Sequence, residues 1–318
     1  MARNYVVGVD VGGQTSKIGL VDGQGTVLHQ TVIRSDVYGS DFDGYIEALA
    51  AGIRECISSC SAEGQVEGIG VGAPNANFYT GEISYAANLA WASDRSVPFA
   101  SRLSGLLGGL PVSLTNDANA AAVGEMVYGC AKGMKDFIMI TLGTGVGSGI
   151  VVDGKLLYGH DGFAGELGHT CVVREGGRQC GCGKTGCLET YCSAIGVART
   201  AREWLEKTDR PSLLRGMDKI SSKDVYDAAA KGDRLALDIF EDTGRILGRS
   251  LADFVAFSAP QAIVLFGGLT KAKEFFNDIM VESMNANLLK IWKGKVQVLY
   301  SVLPESDAAI LGASALAW

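Results

Sequence analysis

YVVGVDVGGQTSKIGLVDGQGTVLHQ, residues 5–30, is the stretch that decides the fold. Val7, Val9 and Val11 read as one strand, Ile18, Leu20 and Val21 as the next, and Gly12-Gly13 as the turn between them. The order returns in DFIMITLGTGVGSGIVVDGKLLYG, residues 136–159. Val9 aligns with Ile140, Gly12 with Gly143, Val21 with Val152, and Asp22-Gly23 with Asp153-Gly154. Both copies read strand, Gly/Thr turn, strand, Asp-Gly turn. An internal repeat of this kind points to duplication of one α/β unit.

The glycine turns need a reason. Loops of Gly, Thr and Ser let backbone N–H groups and hydroxyls converge on phosphate oxygens with no bulky side chain in the way. Two such hairpins could grip a triphosphate from both sides. Either hairpin alone could be an ordinary tight turn, and it is the matched pair that favours phosphate. A third junction, QAIVLFGGL at 261–269, ends a buried strand in Gly267-Gly268 before the helical stretch KAKEFFNDIMVESMNANLL. A strand–glycine–helix junction offers room for an anionic or flat ligand. No G-x4-G-K-[ST] loop is present. GTGVGSG is followed by a strand, where a dinucleotide fingerprint needs a helix.

Between the two hairpins lies PVSLTNDANAAAVGEMVYG, residues 111–129. Val112 to Leu114 read as a short strand, and Asn116, Asp117 and Asn119 fall where strand passes into helix. A carboxylate there is commonly a helix cap. Its position between two phosphate-like turns gives the sharper alternative, a base at the cleft where two units meet.

HTCVVREGGRQCGCGKTGCLETYC, residues 169–192, holds five of the chain's 8 cysteines. A disulfide cluster is one reading. The chain opens MARNYVVGVDVGG, without a basic segment leading into an apolar leader, and the expected compartment is a reducing one where disulfides are rare. Buried structural thiols are a second reading, which suits Cys56, Cys60 and Cys130. The third is zinc: Cys180, Cys182 and Cys187 give C-x-C-x4-C, and His169 lies upstream. Three thiolates and an imidazole close a tetrahedral structural shell, with Cys171 and Cys192 as rival ligands.

Size and balance set the frame. At 318 residues the chain has room for two domains. It is 47% hydrophobic and 20% charged, with only 6 prolines, a globular composition. The 43 glycines are roughly twice the usual share. A net charge of −7 opposes a nucleic-acid surface. No apolar run is long enough to suggest a membrane span.

D-x-G-G near the N-terminus, TNDANAAAVGE, LGTGVGSGIVVDG, GELGH and CGCGKTGCLE occur in this order. Together they make the chain resemble the ROK family of sugar kinases and sugar-sensing repressors, within the actin-like (ribonuclease H-like) ATPase superfamily. The resemblance implies duplicated α/β domains, 1–117 completed by 301–318, and 118–300 carrying a zinc loop at 169–189. The closing stretch ESDAAILGASALAW has helical spacing at Ala308, Leu311, Ala315 and Leu316 and is expected to return to the first domain. As carried over, His169, Cys180, Cys182 and Cys187 hold structural Zn²⁺. Asn88, Asn116, Asp117, Glu166, His169 and Glu189 contact the sugar, with APNANFYTGEISYAANLAW lining its site.

The same resemblance assigns ATP to Gly12, Gly13, Gln14, Thr15, Lys17, Thr144 and Gly145, with Asp10 holding Mg²⁺ through water. Gly267 and Gly268 flank the adenosine. The family's first phosphate loop usually reads D-x-G-G-T-x-x-K, whereas this chain reads DVGGQTSK, with Gln14 in place of threonine. The implied reaction is phosphoryl transfer from MgATP to the 6-hydroxyl of glucose with Asp117 as general base. An N-acetylglucosamine or N-acetylmannosamine kinase is the alternative. A sugar-sensing regulator is the third reading, and it would need a helix-turn-helix module ahead of a strand that begins at about Tyr5. The resemblance also implies a homodimer, and the opening sequence, acidic charge and lack of a long apolar run lead to the expectation of a cytoplasmic protein with no nucleic-acid or membrane partner.

Overall fold

The computed structural model describes residues 3–59, 64–304 and 306–318, and Cys60 lies outside them. The first half runs β1 (Arg3–Val11), β2 (Thr15–Asp22), β3 (Val27–Arg34), α1 (Phe42–Ser58), β4 (Gly64–Gly72), the short hairpin β5 (Ile83–Ser84) and β6 (Ser96–Val97), α2 (Phe99–Leu106), β7 (Val112–Thr115) and α3 (Asp117–Val127). The second half runs β8 (Phe137–Leu142), β9 (Val146–Val152), β10 (Lys155–Leu156), α4 (Glu189–Cys192), α5 (Ala194–Lys207), α6 (Ser222–Ala230), α7 (Arg234–Ser258), β11 (Ala262–Phe266), α8 (Lys273–Asn287), β12 (Gln297–Tyr300) and α9 (Ala308–Ser314).

The duplication is visible in the sheets. One has the order β3-β2-β1-β4-β7, the other β10-β9-β8-β11-β12. In each, the leading hairpin is antiparallel and the two strands beyond it are parallel. The two glycine turns, 12–14 and 143–145, occupy equivalent positions.

Sequence pattern explains the layers. β1 is central, and Val6, Val7, Val9 and Val11 are all buried, as both faces of a covered strand require. β3 alternates half-buried and exposed residues as the edge. α1 buries Tyr45, Ile46, Leu49 and Ile53 against the first sheet, at the three- and four-residue spacing of one helix face. Asp41 caps it by accepting the Gly44 N–H at 3.0 Å. Ile310 and Leu311 of α9 pack with Val6 and Val21 of the first sheet. α7 and α8 bury Leu247, Leu251, Val255, Met280 and Met284 in one core with Ile263 and Leu265 of β11. α3 lies against both β9 and α9, so its N-terminus sits beside both glycine turns' sheets.

Candidate active site

Asp117 is the first residue of α3, but it is not the cap. Asn116 takes that role, its Oδ1 accepting the Asn119 N–H at 2.7 Å. The Asp117 carboxylate is exposed and, among the described residues, accepts only from the adjacent Ala118 N–H at 2.9 Å. The helix-cap alternative therefore belongs to its neighbour, and Asp117 is available for chemistry. Asn119 is 1% exposed and braces the turn from below. Its Nδ2 donates to Thr115 Oγ1 at 3.2 Å, while its Oδ1 is buried without a hydrogen-bond partner among the described residues.

The first glycine turn is pinned from behind. Gln14 O accepts from Ser35 N at 2.8 Å and from Asp36 N at 3.3 Å. Beneath it, Ser16 Oγ shares hydrogen bonds with Ser35 Oγ at 2.8 Å and Tyr45 Oη at 2.7 Å. Tyr45 in turn stacks on Trp91, with 4.8 Å between ring centroids. The departure at position 14 thus costs the turn nothing, because its backbone does the fixing; the Gln14 and Thr15 side chains stay exposed. Gly13 abuts Asn88, and a Cβ on Gly13 would lie 2.4 Å from Asn88 O. No other residue fits there, which ties the turn to the loop expected to line the sugar site. Asp10 pairs in register with Lys17 across the hairpin. Burial raises the Asp10 carboxyl above its usual range, the Asp117 charge raises it further, and Lys17 opposes both.

The second turn meets the cysteine loop. Glu189 Oε2 accepts the Val146 N–H at 3.0 Å, directly after the turn, and Oε1 accepts from Cys180 Sγ at 3.8 Å. Gly143 O accepts from Ala194 N at 2.9 Å, fixing the turn to the start of α5. Thr144 is exposed between them. At the end of β11, Gly267 has φ +108° and presses on Leu142 O, a conformation and a contact that only glycine tolerates. Thr270 Oγ1 donates back to Gly267 O at 2.7 Å, leaving Gly268 exposed beside the turn.

His169, Cys180, Cys182 and Cys187 gather with their ligand atoms all within 4.8 Å of one another. Cys180 Sγ lies 3.7 Å from His169 Nδ1, and Cys182 Sγ 3.7 Å from Cys187 Sγ. A tetrahedral ion with metal–sulfur bonds of about 2.3 Å requires ligand separations of about 3.8 Å, so the four fit one small ion. The rivals fall away on geometry. Cys171 Sγ is turned to Val173 O and Thr185 O, and Cys192 is buried against Thr243 O. Neither forms a disulfide.

Glu166 lies three residues ahead of His169, with its Oε2 3.9 Å from His169 Nε2. Burial raises the Glu166 carboxyl, His169 opposes this, and the Asp117 and Glu189 charges add to the rise. Ser148 holds the GELGH segment to β9, donating to Gly165 O and accepting from Leu167 N at 3.2 Å.

Sequence reasoning missed Arg178. It is 8% exposed and bonds Glu203, Thr200 Oγ1, Thr190 O and Gly196 O while lying over the Tyr191 ring. It anchors the cysteine loop to α4 and α5, and its only sequence signal is a lone arginine beside Cys180.

Two copies of one sheet topology, each presenting a glycine turn and sharing an acid-bearing helix between them, define an actin-like ATPase fold. The chain belongs to the ROK family, whose family model matches residues 6–318. It is 39% identical to a glucokinase of Halalkalibacterium halodurans over 278 residues, 86% of this chain and 82% of the relative. It is 33% identical to a glucokinase of Thermotoga maritima over 321 residues, 99% of this chain and 98% of the relative. Among solved structures it superposes, at a TM-score of 0.77 and 33% identity, on a ROK family glucokinase from Streptomyces griseus in complex with glucose and AMPPNP, covering 98% of each chain. Among the described residues, no helix is long and apolar enough to cross a membrane.

Proposed function

We propose that this chain is an ATP-dependent glucokinase, transferring the γ-phosphoryl group of MgATP to the 6-hydroxyl of glucose. One observation carries the reading: Asp117, exposed and not the cap of its helix, is the carboxylate whose charge bears on both Asp10 in β1 and Glu166. Asp117 orients the hydroxyl and accepts its proton. A loose transition state asks little prior deprotonation, so an aspartate suffices and orientation dominates.

The turns at Gly12, Gly13, Gln14, Thr15 and Lys17, and at Thr144 and Gly145, cradle the phosphates, with Gly267 and Gly268 beside the adenosine. Asp10 fits a hydrated Mg²⁺, since it is a half-buried carboxylate that feels the Asp117 charge, with Lys17 opposing. Mg²⁺, when bound, neutralises charge on the phosphate oxygens. Asn88, Asn116, Glu166, His169 and Glu189 take the sugar hydroxyls. His169, Cys180, Cys182 and Cys187 would hold Zn²⁺, which would supply structural order to the loop and not water activation. With Cys180 held as a thiolate, Glu189 Oε1 would lose its thiol donor and be open to a sugar hydroxyl while Oε2 keeps Val146 N.

In this reading the units are 1–117 with 301–318, and 118–300, closing on the cleft between them. The enzyme works as a cytoplasmic homodimer. ADP release measured against a hexose panel tests the activity. Glucose-dependent ADP formation supports it, and ATP turnover indifferent to every hexose refutes it.

A further inference from the structure

One aromatic contact joins the loop ahead of Asn88 to the loop ahead of GELGH, and nothing in the reaction just described uses it. Tyr158 follows β10. Its ring lies flat on Phe78, 4.1 Å between centroids and 7° between planes. Its hydroxyl lies near Thr115, the residue whose Oγ1 accepts from Asn119 Nδ2. Thr115 ends β7 two positions before Asp117. Two further bonds run alongside: Asn77 Nδ2 donates to Asp161 O at 2.6 Å, and Tyr79 Oη donates to Gly159 O at 3.0 Å. The Tyr158 loop is itself closed, Ala164 N donating to Tyr158 O at 3.0 Å.

We propose that Tyr158 is a positioning residue, a latch that fixes the loop bearing Phe78 and the Thr115–Asp117 turn to one another across the sugar side of the cleft. Its ring and its hydroxyl do separate work. The ring stacks on the sugar loop and so governs how that loop closes over the hexose. The hydroxyl reaches the β7–α3 turn and so governs the aim of the Asp117 carboxylate. Burial pushes the Tyr158 hydroxyl up to about 12, so it keeps its proton through the physiological range and the latch does not open with pH there. A structural contact serving only stability would have no reason to join these two segments in particular. The inference rests on the kinase reading for its kinetic consequence, not for its structural one.

The test uses Tyr158→Phe and Tyr158→Leu in the full chain. Tyr158→Phe keeps the stack and removes only the hydroxyl beside Thr115, and kcat is expected to fall roughly three- to tenfold with the KM for glucose and for MgATP held within about twofold. Tyr158→Leu loses both, and the KM for glucose is expected to rise about tenfold in addition, with MgATP again unaffected. Equal losses for glucose and MgATP alongside a lowered melting temperature would mean a merely structural contact and would overturn the proposal. So would wild-type constants in both variants. Amide exchange supplies an arm that needs no substrate: in Tyr158→Leu, residues 76–81 and 112–119 are expected to exchange faster while α7 does not. Unchanged exchange in both segments overturns the latch. Failure of the wild-type chain to phosphorylate any hexose overturns the kinase reading alone.

Discussion

Asn116 caps the helix that Asp117 opens, and exchanging each in turn should separate the stability the cap supplies from the turnover the acid supplies. In Asn116→Ala the loss is the capping bond to Asn119 N, 2.7 Å in the structure. A lost side-chain cap costs about 1 kcal/mol, which for a chain of this size lowers the melting temperature by roughly 2 °C. Asp117→Asn leaves shape and cap in place. It removes a favourable charge from the first helical turn, a loss of about 0.3–1 kcal/mol. It also relieves repulsion on Asp10 and on Glu166, both of which Asp117 pushes toward protonation. The two effects oppose, so the melting temperature should barely move. Turnover should fall about 10²–10⁴-fold, the usual worth of a general base, or roughly 3–5 kcal/mol of barrier. ADP release at saturating glucose and MgATP reads the rate, and calorimetric glucose titration checks that binding persists. An Asp117→Asn enzyme within tenfold of wild-type turnover, or one that melts as low as Asn116→Ala, refutes the division of labour.

Freshly purified, chelator-free protein should carry about one zinc per chain by elemental analysis; Cys182→Ser should lose it and weaken glucose binding more than MgATP binding. Asp10→Asn should abolish Mg²⁺-dependent turnover yet raise the melting temperature of the ligand-free protein at pH 7. Asp10's folded-state pKa is raised, so in the wild type its ionisation costs stability as pH climbs past about 3.9, the unfolded value; the gap between variant and wild type should close toward acid pH, and a variant that melts lower at pH 7 removes the charge argument. If Glu189 takes the C2 hydroxyl of the sugar, 2-deoxyglucose should be used roughly ten- to a hundredfold less efficiently than glucose, the cost of a carboxylate left without its donor; equal kcat/KM for the two sugars takes Glu189 out of specificity.

What was legible in the sequence was local. The paired hairpins could be aligned by eye because a strand–turn–strand unit writes its period and its glycines within about twenty residues, and both sheets carry it in equivalent places. The metal ligands could be narrowed to a loop, but separating Cys180, Cys182 and Cys187 from Cys171 and Cys192 needed the direction of each sulfur. The cap was ambiguous for a similar reason. Asn116 and Asp117 are both good capping residues, and only the helix's first turn decides between them. Contacts between distant segments left no trace in the pattern. Arg178 meets Glu203, Ser16 meets Ser35 and Tyr45, and Tyr158 meets Phe78 and Thr115. Each of those residues taken alone reads as an ordinary polar or aromatic position.

The central claim is the transfer of phosphate to the 6-hydroxyl of glucose, and coupling the reaction to glucose-6-phosphate dehydrogenase reads that product and no other sugar phosphate in the panel. With glucose and MgATP, the coupled signal should match ADP release one for one, and kcat/KM for glucose should exceed those for mannose, fructose, N-acetylglucosamine and N-acetylmannosamine by ADP release. ADP release without glucose 6-phosphate, or a higher kcat/KM for N-acetylmannosamine than for glucose, would contradict it.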